Sequence, residues 1–476
     1  MADELTLTVR QGGSLAWLGD GAATATVAGD GSVSWHPASD AGGGVTFALA
    51  PDGPAVAKRA HVGETAVLQT TWAVGSSQVA VTDFLPVRLG AAGDVVHPRR
   101  SHQRLVRLVE ATTGPVRLRF RLAANPGGRP AELVEDPNGL LLIGRGAAVV
   151  LQTTGEVVLR ADGEVEGVFE LARGQRRAFL LTWHDDEDPE VPEAAATVPD
   201  WELDGTYDYW LAWARRCPFQ GAQRQALVAL AAMTKAAGLG SPGGEARLLG
   251  AAALAAWGFE DELPACLTAG DALHDLAASA WLLDALAEGY VTGLLPPFGW
   301  LPHAEALVAV ADALAERLGN QASGAGPSSA ACLAGLWGAT RLVEEGLLAA
   351  EAGPWRAAIR RQTAAVAGPG GAWGAGWQEA LGLPPELAPV PAGGLEVPLD
   401  LDGTVEPLAR LWRVRRALTG GAWLQARRGL DALLQEPLEG LPPVAWSHAL
   451  WLGARIHLQE PPPPGRATLG DDLGFD

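Results

Sequence analysis

The hydrophobic period of this chain changes once, near residue 205, and that change sets what it can fold into. Before it, apolar and polar residues alternate in short runs that stop at Gly or Asp. Ala25-Thr-Val-Ala28 is followed by Gly29-Asp-Gly31 and then by Ser32-Val-Ser-Trp35. Ala66 to Trp72 with Gln78 to Phe84 form a second such pair, and Arg104 to Val109 with Val116 to Arg121 a third. A period of two puts successive side chains on opposite faces of a strand, so these runs predict an antiparallel β-sandwich over residues 1–190. The Arg residues alternating with Leu and Phe are expected on one solvated face.

From Tyr207 the apolar residues recur at three and four, the spacing of a helix face. Tyr207 to Trp213 opens the first helix and Gln223 to Lys235 the second. Others are expected near 247–258, 262–268, 272–289, 303–318, 329–350, 354–367, 376–382, 405–419, 422–435 and 445–458, joined by Gly- and Pro-containing turns. The all-α region spans 205–460 and fits an α/α toroid or an irregular bundle. An acidic stretch entered through His184-Asp-Asp-Glu-Asp-Pro189 leads into a linker over 191–204. Glu460-Pro-Pro-Pro-Pro464 opens a tail over 461–476, expected to be polyproline-like and then disordered.

Composition narrows the partners. A formal net charge of −20 disfavours nucleic acid and anionic membrane surfaces, which need a basic face. Cys217, Cys266 and Cys332 are odd in number and far apart, which argues against a disulfide framework or a zinc site. Met1-Ala-Asp-Glu-Leu5 has neither the basic nor the apolar stretch of a leader, and no long uninterrupted apolar run follows. A soluble cytoplasmic protein without metal or cofactor is expected, with homo-oligomerisation left open. No phosphate-cradling loop, CxxC pair or HExxH motif is present.

An ordered series of short motifs resembles glycoside hydrolase family 15, the glucoamylase and trehalase-like proteins of bacteria. Leu18-Gly-Asp20 with Gly29-Asp-Gly-Ser-Val-Ser-Trp35 looks like that family's opening pattern, and Val81-Thr-Asp-Phe-Leu-Pro86 like its VTDFMP. His102-Gln-Arg-Leu-Val-Arg107 and Ala178-Phe-Leu-Leu-Thr-Trp183 also have counterparts. Further on, Phe259 to Pro264 and Leu411 to Leu418 resemble two helix segments, and Pro443, Ala445, Ser447 and His448 match the start of the last barrel helix. The resemblance implies a multidomain β + α chain, an N-terminal β-sandwich followed by an (α/α)6-like toroid.

It also implies a place for the chemistry. An inverting glycosidase needs one carboxylic acid to protonate the leaving oxygen and one carboxylate to activate water. The family's sugar clamp would fall between Lys235 and Trp257, where this chain has Gly238 to Gly250; Arg247 is a remnant of the clamp or a surface arginine at a helix start. The general acid would fall in Gly319 to Ser329, which contains no carboxylate. The base would lie just before the last helix, where a short loop offers Glu436 and Glu439. Asp402 and Glu406 stand close together in another loop; helix capping and solvation also account for them. Trp373, Trp377 and Glu379 form a candidate ligand platform, and Trp300 and His303 a candidate toroid mouth; core packing also accounts for these tryptophans.

The expectation is a glucoamylase-like protein that has lost the acid, the clamp and, with its loop shortened, the base, and that binds a carbohydrate or another small molecule without hydrolysing it. A diverged enzyme with relocated carboxylates, or an interaction scaffold with a filled toroid centre, are the alternatives. His448 reads as a structural hydrogen bonder.

Overall fold

The computed structural model describes residues 16–19, 23–37, 42–89, 95–96, 103–154, 158–159, 164–187, 189, 191, 198–220, 224–238, 244–260, 262–268, 273, 275–320, 327–366, 414, 426–430 and 443–458. One sheet runs Ala16–Gly19 (β1), Thr24–Val27 (β2), Val33–His36 (β3), Val45–Pro51 (β4), Val116–Ala124 (β11), Glu164–Leu171 (β16) and Val158–Leu159 (β15). The second runs Glu132–Asp136 (β12), Gly139–Ile143 (β13), Ala148–Thr153 (β14), Arg176–His184 (β17), Gln103–Ala111 (β10), Ser77–Phe84 (β7), Leu68–Val74 (β6) and Val56–His61 (β5). Arg88–Leu89 (β8) and Val95–Val96 (β9) pair separately. Every pairing among the described strands of the two large sheets is antiparallel.

The two sheets close on an apolar layer. Phe47, Phe120, Phe169 and Phe179 meet in it, with the Phe120–Phe179 centroids 5.1 Å apart and tilted and the Phe47–Phe179 centroids 5.2 Å apart edge to face. β11 alternates buried and exposed along its length, which puts Arg117, Arg119 and Arg121 in solvent as the period of two requires.

β10 departs from the expected solvated Arg face. Arg104 and Arg107 are three residues apart and therefore on opposite faces of the strand. Arg107 enters the sandwich between Leu105 and Val109, and only 1% of its side chain is exposed. It donates from Nε to Asp83 Oδ1 at 2.7 Å and from Nη2 to Asp83 Oδ2 at 3.2 Å. It also donates to the carbonyls of Phe47 (2.8 Å) and Gly31 (2.9 Å) in the facing sheet and its β2–β3 turn. The guanidinium is thus paired and spread over four hydrogen bonds, the condition under which a charge can sit in a core. Gly31 has φ +83°, and a Cβ there would run into the Leu49 carbonyl and the Trp72 ring. Its absence of a side chain lets the turn reach Arg107. Gly31, Asp83 and Arg107 come from three of the motifs named above, so those motifs converge on one buried tie between the sheets.

The other face of the second sheet is covered by a helix. Val67, Phe84, Val106, Leu108, Ala178 and Leu180 pack with Leu203 and Tyr207 of Val198–Ala214 (α1). Arg104 reaches Glu202 on the same helix at 2.7 Å. The first seven residues of α1 lie within the span assigned to the linker, because Pro199 and Asp200 make a favourable first helical turn.

The helices that follow are Arg224–Gly238 (α2), Gly244–Ala256 (α3), Glu262–Thr268 (α4), Leu276–Val291 (α5), Ala304–Asn320 (α6), Pro327–Glu344 (α7), Ala352–Val366 (α8) and Pro443–Leu458 (α9). Asp275 caps α5, accepting from the Ala277 and Ala278 N–H groups at 2.9 and 3.2 Å. Of the helices expected over 405–435, Val414 and 426–430 are described and helical; the segment at 376–382 and the tail 461–476 lie outside the described residues.

Two layers are present. α9, α3, α5 and α7 lie side by side in that order, and α2, α4, α6 and α8 pack against them. The first four are parallel. Gly250 approaches Ser447 while the Trp257 indole N–H donates to the Leu450 carbonyl at 2.8 Å, so α3 and α9 ascend together. Gly335 and Gly338 of α7 meet the backbone of Ala280 and Leu283 of α5 in the same order. A Cβ at Gly335 would stand 2.5 Å from the Ala280 carbonyl oxygen, so this crossing requires the missing side chain.

The sandwich and the helical layers are joined around Arg224. It pairs with Glu64 of the β5–β6 turn at 3.2 Å and donates to the carbonyls of Ala214, the last residue of α1, and of Cys217 and Phe219 beyond it. A cation at a helix C-terminus is favoured by the partial negative charge of the free carbonyls there.

Candidate functional site

Within the layer formed by α9, α3, α5 and α7, polar and aromatic residues gather on one seam. α5 presents Trp281, Asp284 and Glu288, and α9 presents His448, Trp451 and Arg455. Both triplets have the spacing of three and then four that places side chains on one helix face. The two faces meet. The Trp281 and His448 rings stand edge to face with centroids 4.9 Å apart. One to two turns further on, Glu288 accepts the Trp451 indole N–H at 2.9 Å and pairs with Arg455. Asp284, on the same α5 face between them, is buried, as are Ser447 and His448.

The two ends of the seam differ in chemistry. At the C-terminal end, Glu288 is held by a cation and an indole and acts as a tie between α5 and α9. At the N-terminal end, an indole, an imidazole and a carboxylate share one wall. These group types are ones a polyhydroxylated ligand can use: an aromatic ring face for its apolar C–H face, and donors and acceptors for its hydroxyls.

A second charged cluster lies between α1, α2 and α4. Lys235, one of two lysines in the chain, pairs with Glu262, and both are buried. The Trp213 indole N–H donates to Glu262 at 3.1 Å, and its ring stacks on Phe259 at 3.8 Å. Each charge here has its partner, and the cluster reads as a brace between helices.

The sequence candidates separate into two ends and a remainder. Arg247 stands in the first turn of α3, at the N-terminal end of the four parallel helices; its side chain lies outside the described residues. Trp300 and His303 follow the C-terminus of α5 and so stand at the opposite end, about 20 Å away by the rise of a helix of this length. Trp300 is fully buried in the helical core, and His303 is half-buried in the short helical turn Leu301–His303. The fold therefore does not bring Arg247 together with Trp300 and His303. Glu436, Glu439, Asp402, Glu406, Trp373, Trp377 and Glu379 lie outside the described residues. Sequence reading passed over Trp281, Asp284, Glu288, Trp451 and Arg455. Their signal was the repeated three-and-four spacing of polar and indole groups inside otherwise apolar helices.

Among the described residues, no group of three or more His, Cys, Asp or Glu side chains is placed to hold a metal ion. No described helix is long and apolar enough to cross a membrane.

No family model matches this chain. No curated protein matches it. Among solved structures, one titled "Putative kojibiose phosphorylase from human microbiome" aligns with a TM-score of 0.43 and 8% identity, covering 85% of this chain and 78% of that chain. A match at that level carries no inference about activity.

Proposed function

We propose that this chain is a glucoamylase-like protein, a β-sandwich on an α/α toroid, that binds a carbohydrate at the N-terminal end of its inner helices without hydrolysing it. The observation that carries the reading is the α5–α9 seam, where Trp281 meets His448 edge to face beside the buried Asp284. The motif series supports the family-level plan. Its convergence on the Arg107–Asp83 tie gives those motifs a structural role that is independent of catalysis. The loss of hydrolysis rests on the sequence: Gly319 to Ser329 has no carboxylate, and Gly238 to Gly250 lacks the Trp and Asp of the clamp. Without an acid on the leaving oxygen, a glycosidic bond has no general-acid route.

The test has two arms. Trehalose, maltose, isomaltose and longer α-glucans are offered to the purified protein, with and without inorganic phosphate, and released sugar or sugar phosphate is measured. Binding of the same sugars is followed by calorimetry for the unmodified chain, Trp281→Ala and His448→Ala. Saturable binding that weakens at least about tenfold in both variants, with no turnover, is the expected result. Turnover abolished by Glu436→Gln or Glu439→Gln replaces this reading with a diverged enzyme. No binding and no turnover with any sugar leaves the interaction scaffold.

A further inference from the structure

A second set of polar side chains lies between the sheets, on the hairpin formed by β5 and β6. The two strands pair with Ala57 opposite Trp72, Arg59 opposite Thr70 and His61 opposite Leu68. These side chains share the face that looks into the sandwich. Leu68 and Trp72 belong to its apolar layer, and Arg59 Nη1 donates to the Val27 carbonyl of the facing sheet at 2.6 Å. Arg59, Thr70 and Trp72 are all buried.

Four sealed atoms of this set have no well-aligned hydrogen-bond partner: Thr70 Oγ1, Trp72 Nε1 and both ring nitrogens of His61. The Val67 main chain lies near His61, but its carbonyl already accepts the Val62 N–H at 2.8 Å. A buried polar group without a partner is costly, so four on one face of one hairpin call for an occupant that supplies the partners.

The chemistry of the set decides what the occupant is. An indole N–H only donates, and a threonine hydroxyl and a neutral imidazole can each donate. Arg59 adds a positive charge. The acid in its field is Asp30 in the exposed β2–β3 turn, whose carboxylate accepts from the Ser32 N–H at 2.9 Å and from the Ser32 hydroxyl. A water brings two hydrogens that need acceptors of their own, whereas an anion accepts from every donor and needs none. Opposed side chains such as Arg59 and Thr70 start about 5 Å apart, and Trp72 follows about 7 Å along the same face, so one small ion can meet all three.

We propose that the inward face of the β5–β6 hairpin binds a small inorganic anion between Arg59, Thr70 and Trp72, with His61 at its border. The ion ties this edge hairpin to the facing sheet, where Arg59 already holds Val27 and the Trp72 ring lies against Gly31. This inference is independent of the sugar-binding reading.

The test uses full-length protein. Thermal unfolding is followed as sodium gluconate is exchanged for sodium chloride, nitrate or phosphate at constant ionic strength. With at least one of these anions the midpoint should rise saturably, by at least about 3 °C. Thr70→Val and Trp72→Phe each remove one donor and keep an apolar side chain, and each should move half-saturation to at least about tenfold higher anion. Thr70→Ser keeps the hydroxyl and should respond like the unmodified chain, which separates a lost donor from poor packing. An equal rise in the unmodified chain and both donor variants means an adventitious ion only and overturns the proposal. No saturable rise with any of the three anions also overturns it and assigns the donors to water.

Discussion

Arg107 Nε lies 2.7 Å from Asp83 Oδ1, and both side chains are sealed between the two sheets. Because Arg107 also holds carbonyls of the facing sheet, the pair joins the layers as well as neighbouring strands. Removing one partner leaves the other charge buried alone, which costs about 3–5 kcal/mol in comparable cores. Asp83→Leu and Arg107→Met should each lower the urea midpoint by that amount of stability. The double variant should recover most of the loss, since no charge is then stranded. Additive losses in the double variant would show that the two residues do not act as a pair.

The α5–α7 crossing makes a prediction about two glycines of opposite sense. A Cβ at Gly338 would stand 2.6 Å from the Leu283 carbonyl oxygen, whereas one at Gly205 in α1 meets nothing within 4 Å. Gly338→Ala should destabilise the helical region by about 1–3 kcal/mol, because backbone on both sides must move apart. Gly205→Ala should instead stabilise by up to about 1 kcal/mol through helix propensity. Thermal unfolding of the two variants separates these signs.

Acid should weaken the sandwich through His61. Burial and the nearby Arg59 charge hold its imidazole at about 4, below the 6.5 of an exposed histidine. Above pH 6.5 both the folded and unfolded forms are neutral, and the full stability is present. As pH falls through 6.5, the unfolded chain takes up a proton that the folded chain refuses until about pH 4. Stability therefore falls across that window, by about 2–3 kcal/mol in total. His61→Phe should flatten the slope of urea-derived stability between pH 6.5 and 4. An unchanged slope would remove His61 as its source.

The Glu288 tie can be taken apart in steps. Glu288→Gln keeps an acceptor for the Trp451 indole but loses the ion pair with Arg455; Glu288→Leu loses both. The first should cost about 1–3 kcal/mol and the second more. Combining Glu288→Leu with Arg455→Met should recover part of the loss. Calorimetric unfolding of the four proteins tests the order.

Local pattern is what the sequence by itself determined. The period of two in Val116 to Ala124 placed Arg117, Arg119 and Arg121 in solvent, and they are there. The period of three and four placed the helices from Tyr207 onward; most of those described begin and end within about four residues of expectation, but α1 starts already at Val198 and α7 ends at Glu344 rather than near 350. These features depend on neighbours along the chain, which a sequence displays directly. Tertiary structure alone decided what covers each face. Arg104 and Arg107 share one strand and one residue type, yet one meets α1 and the other enters the sandwich. Strand periodicity says that they point opposite ways; it does not say that both faces of β10 are covered. The seam follows the same rule: Trp281 and His448 are 167 residues apart, and only a fold that sets α5 and α9 on either side of α3 lets their side chains meet.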